Sequence, residues 1–433
     1  MTLEDIQNFG IVGAGGAGFP THIKFRSNPD FLIMNAAECE PLLHKDKELL
    51  LRHADQVLKG LQIAMSITGA KQCIIGIKAK YRTIIHRLQQ NVSDLIRIES
   101  IEDFYPAGDE VTLVYLTTGR VIQPGTLPIE VGCLVQNVET LYNVAAAEPV
   151  SDKWLTVAGA VTEPATVKVP IGTSFRDVLS HFRILSGDFI VMSGGLMMGS
   201  LEKNMDAVVT KTTGGLIILP AGHPCAASYE RYASVKRTMR TAKAACDQCS
   251  FCTELCPRYL LGHPVRPETA MRNLMFGREG FDFFHPGNTF CCECNLCTLY
   301  ACPEGLDPRG AVVIEKKTAG TRNLRREGPA VGPHPMMPYR QVPMARLKQR
   351  LGVAGFRDEG PIASFEIRPD RVRVPLLQHV GKPAVPLVQQ GDRVARKALI
   401  ARADGPVSAN VHASIDGRIS EVNASEIFIQ RES

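Results

Sequence analysis

No apolar run in this sequence comes near the ~18 residues that a membrane-spanning helix needs. The nearest, LIILPAG from Leu216, is far too short. The N-terminus, MTLEDIQNFG, is acidic early and lacks the basic-then-apolar layout of a signal peptide. Together these predict a cytoplasmic chain with no transmembrane segment. A net charge of +5 is mild, and the basic face or stripe of a dedicated nucleic-acid binder is missing. At 45% hydrophobic and 21% charged residues the chain is not disordered. Its 433 residues exceed one ordinary core, so two to four domains are expected.

What it has in abundance is cysteine, thirteen in all. Cys39, Cys73, Cys133 and Cys225 are scattered and read as plain buried residues. The other nine lie between Cys246 and Cys302. A dense block in a long chain without a secretion signal indicates metal, not disulfides. Its first part, Cys246-x-x-Cys249-x-x-Cys252-x-x-x-Cys256-Pro257, has the spacing of a bacterial-type [4Fe–4S] site. Its second, Cys291-x-x-Cys294-x-x-Cys297-x-x-x-x-Cys302-Pro303, has a last gap one residue longer. Cys291 keeps the x-x step; the adjacent Cys292 is the alternative. In two-cluster proteins of this kind the fourth cysteine is often donated to the other cluster, which pairs Cys256 with the second site and Cys302 with the first. Structural zinc sites pair two CxxC units across a longer stretch, which these runs do not match. Two such clusters form a one-electron wire, which needs a source and a sink.

The source is sought at GIVGAGGAGFPTHIK, Gly10 to Lys24. Gly13-x-Gly15-x-x-Gly18 spells a dinucleotide fingerprint, but only FGIV precedes it and Phe19-Pro20 follows it. A fingerprint of that kind should follow a full strand and open into a helix, and a residue before proline is biased away from the helical region. A helix is expected to start near Thr21, with Thr21 as its cap. Glycine still lets backbone amides approach a phosphate, and Lys24 offers a countercharge.

GAGGAGFPTHIK and NAAECEP resemble the flavin loop and acidic segment of the NADH-oxidising subunit of respiratory complex I. They also resemble the RnfC subunit of the Rnf electron-transport complex. VQNVETLYNV (Val135 to Val144) and YPAGDE (Tyr105 to Glu110) resemble two further segments of the complex I family. The resemblance implies a Rossmann-like FMN-binding domain over residues 1–150. Gly13, Gly15, Gly16, Gly18, Lys24, Asn35, Asn137 and Thr140 then take the phosphate and ribityl side. Glu38 and either Asp109 or Glu110 stand near the ring. Phe19 and Glu40 match positions used for NADH. Ala14 and Ala37 depart from the family's arginine and acid, and Phe25 keeps its aromatic only loosely.

From 151 to 222, LTVAGAV, ATVKVPIG and DFIVMSGG read as strands and SFRDVLSHF as a short helix. This resembles the β-grasp SLBB domain of the same relatives. The cysteines fall in a helical, two-cluster ferredoxin-like domain at 223–327. The Pro- and Gly-rich stretch 328–370 reads as a linker, with MARLKQRLG as a short basic helix inside it. Residues 371–433 alternate β-formers with Gly-Asp and Asp-Gly turns. They resemble the barrel-sandwich hybrid domain that RnfC carries at its N-terminus. No lysine sits at a hairpin tip in the right context, so no lipoyl or biotinyl attachment is expected.

The fold class expected is thus multidomain α/β plus β. The domain order resembles the cobalamin reductase family of propanediol-utilisation microcompartments. That resemblance implies FMN, two [4Fe–4S] clusters and NADH as substrate. It implies electron delivery to cobalamin, from Co(III) through Co(II) to Co(I). The implied partners are a cobalamin adenosyltransferase and the shell or cargo proteins of a bacterial microcompartment. No acid–base pair is evident; His44 and His379 are unassigned. Two other readings stand beside it: an RnfC-like relay that works only in a complex, and an iron–sulfur scaffold without flavin.

Overall fold

In the computed structural model, residues 1–232, 234–276, 285–319 and 329–432 are described. The runs FLIMNA and QCIIGIK are apolar along their whole length, as strands covered on both faces are. They form β1 (Phe31–Ala36) and β2 (Gln72–Lys78). With β3 (Ile96–Ile101) and β5 (Cys133–Asn137) they build a parallel sheet in the order β3-β2-β1-β5. The two-residue β4 (Phe104–Tyr105) stands outside it. Helices α1 (Leu3–Asn8) and α2 (Thr21–Lys24) precede β1. Thr21 is not the cap: α2 is entered through Pro20 and gains no side-chain cap.

Four more helices cover this sheet: α3 (Lys45–Thr68), α4 (Arg82–Gln89), α5 (Glu110–Thr118) and α6 (Val138–Ala146). Alternation along β1 sends Leu32 and Met34 to the core shared with α3 and α6. Ile33 goes to the core shared with α5. Helices α3 and α6 cross at Gly60. A Cβ there would lie 1.9 Å from the Leu141 carbonyl oxygen, so only glycine permits this approach.

The next unit is a mixed sheet in the order β7-β6-β10-β8-β9. Its strands are β6 (Asp152–Gly159), β7 (Ala165–Pro170), β8 (Phe189–Ser193), β9 (Ser200–Glu202) and β10 (Gly215–Pro220). Helix α7 (Phe175–Leu179) packs on it, capped by Ser174. Short helices then flank the clustered cysteines: α8 (Pro224–Tyr232), α9 (Val235–Ala245), α10 (Phe251–Glu254), α11 (Pro257–Leu260), α12 (Pro267–Phe276) and α13 (Pro308–Ala319). The boundary expected at 327/328 lies outside the described residues.

The stretch read as a linker is instead a docked strap. Its β11 (Val342–Pro343) pairs antiparallel with β4, and α14 (Met344–Arg350) follows. Val342, Met344 and Leu347 are buried beside Tyr105, Leu196 and Cys294. Further on, the Gly360 and Pro361 carbonyls accept from Thr166 at 2.7 and 2.9 Å. Proline and glycine set its backbone, but its scattered apolar residues decide where it lies.

The last unit has two small sheets. One, β12-β18-β17-β14, joins β12 (Arg371–Pro375), β14 (Arg393–Val394), β17 (Gly417–Val422) and β18 (Glu426–Gln430). The other joins β13 (Val385–Pro386), β15 (Leu399–Arg402) and β16 (Val411–His412). This unit docks on the N-terminal glycine loop, where the Val380 amide donates to the Gly18 carbonyl at 3.0 Å. Among the described residues no helix is long and apolar enough to cross a membrane.

Candidate cofactor and metal centres

Ligands of open α/β sheets bind where strands end at their carboxyl edge. Here Asn35 of β1 and Asn137 of β5 face each other in register at that edge. Gly15 lies against Asn137, its absent Cβ 3.4 Å from the Asn137 Cβ. Gly16 has φ +114 and nothing within 4 Å of where a side chain would start, so the loop tip is an open cradle. Gly13 closes the loop through its amide to the Phe19 carbonyl at 2.9 Å. Thr140 accepts the Ala14 amide at 3.0 Å. Asn137 caps α6 and donates to Asp46 at 2.7 Å. A glycine cradle before a capped helix N-terminus fits a phosphate, and the paired asparagines above it fit the hydroxyls of a flavin chain.

The remaining sequence candidates divide. Lys24 reaches Glu110 at 2.9 Å and the Val135 carbonyl at 3.2 Å. Asn35 donates to the Gly108 carbonyl at 2.8 Å, beside Asp109 and Glu110. Glu38 is half-buried, and its carboxyl is pushed up by desolvation and then by Asp46. Asp109 turns away toward the cysteines. It caps α5 and makes a two-point ion pair with Arg258 at 2.5 and 2.9 Å. Burial alone would raise the Asp109 carboxyl, but Arg258 and the Thr112 donors outweigh it and hold it below the usual range. Glu40 points into the second unit, accepting the Met197 and Met198 amides at 2.9 and 2.7 Å. Its carboxyl is pushed up to about 7 by burial, partly offset by those amides.

Beneath the loop lies a buried ion cluster that the sequence did not reveal. Lys45 pairs with Asp46 at 2.6 Å and with Glu139 at 3.0 Å, and Lys153 pairs with Glu139. Lys153 also donates to the Ala14 carbonyl at 2.9 Å. Burial drops the Lys153 ammonium to about 8, with Glu139 opposing the fall. Glu139 stood inside the VQNVET segment; Lys153, 14 residues on, carried no signal.

Cys246, Cys249, Cys252 and Cys302 line one cavity together with Met271 and Leu306. Burial pushes the Cys252 thiol up to about 12, with Glu268, Cys302, Cys249 and Cys246 adding to it. Cys256 is raised by burial and then by Cys291 and Cys292. Cys297 is raised by burial and then by Cys291, Cys252 and Cys256. Cys294 bonds Cys292 and feels Cys256 and Cys297. Buried thiols gathered this closely are costly as thiolates unless iron supplies positive charge, so the cysteines of this block fit iron–sulfur ligation.

The backbone bears on the choice between Cys291 and Cys292, although the Cys292 thiol, lowered to about 7 by its bond to Cys294, also sits with the second group. Gln248 and Ser250 take left-handed φ of 54 and 65, and Glu293 and Asn295 take 58 and 65. The two turns therefore superpose in register with Cys246 on Cys291. Cys291 also accepts the Glu293 amide at 3.3 Å, as Cys302 accepts that of Leu306. The second group touches the first domain directly: the Tyr105 hydroxyl donates to the Cys294 carbonyl at 2.7 Å. The four scattered cysteines are buried and free.

Three family models match the chain. The Nuo51 FMN-binding domain covers residues 6–146, a 4Fe-4S dicluster domain covers 245–307, and the RnfC barrel sandwich hybrid domain covers 356–432. Cobalamin reductase PduS of Salmonella typhimurium is 40% identical over 99% of this chain and 96% of its own length. That of Citrobacter freundii is 39% identical over the same shares. A component of the proton-translocating ferredoxin:NAD(+) oxidoreductase complex of Clostridium ljungdahlii is 32% identical over 60% of this chain and 56% of its own. On the full-length matches, this multidomain chain, with its FMN-binding and 4Fe-4S dicluster domains, belongs to the cobalamin reductase PduS family.

Proposed function

We propose that this chain is an NADH-dependent cobalamin reductase, passing electrons from NADH by way of FMN and two [4Fe–4S] clusters to cobalamin, from Co(III) through Co(II) to Co(I). When bound, FMN supplies two-electron acceptance with one-electron release, and the clusters supply the one-electron steps. The observation that carries the reading is the contiguity of the two centres. Arg258, two residues past Cys256, grips Asp109 on the flavin side, and Tyr105 grips the Cys294 carbonyl. Gly13, Gly15, Gly16, Gly18 and Asn137 hold the phosphate end, and Lys24 with Glu110 closes its flank. Cys246, Cys249, Cys252 and Cys302 hold one cluster; Cys256, Cys291, Cys294 and Cys297 hold the other. The first domain is Rossmann-like and the second a β-grasp of SLBB type, supported by its mixed five-stranded sheet and single helix. The protein works in the cytoplasm inside a microcompartment, beside an adenosyltransferase that consumes Co(I).

A second reading, an RnfC-like relay fed by a partner, is favoured by one observation. Glu40, a residue the resemblance gives to NADH, is already occupied by the Met197 and Met198 amides. An anaerobic titration with NADH, then aquocobalamin, separates the two. Bleaching of flavin and iron–sulfur absorbance by NADH and its recovery with cobalamin supports the reductase. Loaded clusters that NADH leaves oxidised refute it in favour of the relay.

A further inference from the structure

Of the nine clustered cysteines only Cys249 is exposed, and Cys246 beside it is half-buried. The group of Cys246, Cys249, Cys252 and Cys302 is therefore the more exposed of the two. The other group faces the flavin-side residues. Helix α9 runs directly into Cys246. Its Thr238 and Ala242 are buried, while Lys236, Arg237, Arg240 and Lys243 are all exposed. Spacings of three and four residues put these cations on one stripe. None of them makes an ion pair among the described residues. The exposed Arg272 lines the cavity of the same four cysteines. Phe251, between Cys249 and Cys252, is 48% exposed. Three acids line the same cavity, the exposed Asp247 and Glu304 and the buried Glu268, which pairs with Arg266; the cations outnumber them.

An exposed aromatic beside the most accessible thiol, with Arg272 at the same cavity and a cationic helix leading into Cys246, offers a small apolar centre with charge on its border. Lys236 to Lys243 spans about 10 Å of helix. A corrinoid's single phosphodiester can pair with only part of that stripe, whereas an acidic protein surface can match it all. We propose that this face, α9 with Phe251 and Arg272, docks an acidic one-electron carrier protein over the Cys249 side. The proposal rests on the reading that Cys246, Cys249, Cys252 and Cys302 hold a cluster. Each encounter oxidises the reduced site by one electron and reduces the carrier by one. The two electrons of one hydride leave in two encounters.

The test uses the full-length, iron–sulfur-loaded protein reduced with dithionite, so it does not depend on the NADH step. Plastocyanin serves as an acidic one-electron probe, cytochrome c as a basic one and aquocobalamin as the small acceptor. The variant carries Lys236→Glu, Arg237→Glu, Arg240→Glu and Lys243→Glu together, with cluster content checked by EPR. In the parent, oxidation by plastocyanin is expected to slow roughly tenfold from low to high salt. The variant is expected to lose roughly tenfold with plastocyanin at low salt, to gain with cytochrome c, and to keep the aquocobalamin rate. Binding of plastocyanin to the oxidised protein, followed by sedimentation, weakens in parallel. An unchanged plastocyanin rate overturns the proposal. So does an equal loss with aquocobalamin, which would assign the face to the corrinoid.

Discussion

Lys211 is buried where three units meet. Its ammonium donates to the Gly10 carbonyl at 2.7 Å and the Asn410 carbonyl at 2.8 Å, and its amide donates to Gln378 at 3.0 Å. No carboxylate pairs with it among the described residues, and the titratable groups it acts on are His379 and His412. Burial lowers its pKa from 10.5 to about 7. At 1.36 kcal/mol per unit, folding with the charged form costs about 5 kcal/mol below pH 7. Lys211→Met removes that cost but strands two carbonyls, losing about 1.5–3 kcal/mol for each hydrogen bond. Near pH 7 these nearly cancel, so the pH dependence is the sharper quantity.

A lysine depressed in the folded state binds fewer protons there than when unfolded. Its penalty is complete below about 7 and disappears as pH rises toward 10.5. The parent should therefore gain on the Met variant by ~1.4 kcal/mol per pH unit in that window, about 3 kcal/mol from pH 7.5 to 9.5. Both histidines are lowered from 6.5 and stay neutral throughout it. Urea denaturation followed by Trp154, the sole tryptophan and a buried one, reads the difference. Parallel stability–pH curves for the two proteins would refute the reasoning.

The repeated turn geometry predicts that Cys291→Ser removes about four iron atoms per chain and Cys292→Ser removes none, read by iron analysis and EPR. Asp109→Asn leaves the buried Arg258 guanidinium without its partner charge and should destabilise the protein by about 3–5 kcal/mol. Adding Arg258→Met should recover part of that loss in a double-mutant cycle; additive losses would show that the pair does not act as one.

The cysteine block was readable because cluster ligation is written in local spacing. A thiolate every third residue, twice, leaves few alternatives. The flavin loop was readable only through resemblance: its neighbours Asn35 and Asn137 are about a hundred positions apart and meet through the register of β1 and β5. What stayed hidden was the long-range pairing of charge. Lys45, Glu139 and Lys153 each look like surface residues in their own segments, and only the fold buries them together. The strap misled for a related reason. Prolines and glycines announced an extended chain, but Val342, Met344 and Leu347 are too few and too spaced to announce a core.

The C-terminal place of the barrel-sandwich unit has a physical explanation in the same contacts. The unit is held by residues near the start of the chain. Asn410 donates to the Asn8 carbonyl at 3.4 Å, Val380 donates to Gly18, and Lys211 ties Asn410 to Gly10. The Arg373 amide also donates a hydrogen bond to the Gly172 carbonyl at 2.9 Å. An element docked on residues 8–18 can enter from a short N-terminal lead or return over the strap from the cysteine domain. Loop-closure entropy grows only with the logarithm of length, about 0.6 kcal/mol per doubling, so the longer route is cheap. The strap then recovers more than that, because its buried Val342, Met344 and Leu347 stitch the flavin side to the Cys294 side on the way. Moving the unit to the C-terminus therefore adds a brace across the path that electrons take, which an N-terminal position would not supply.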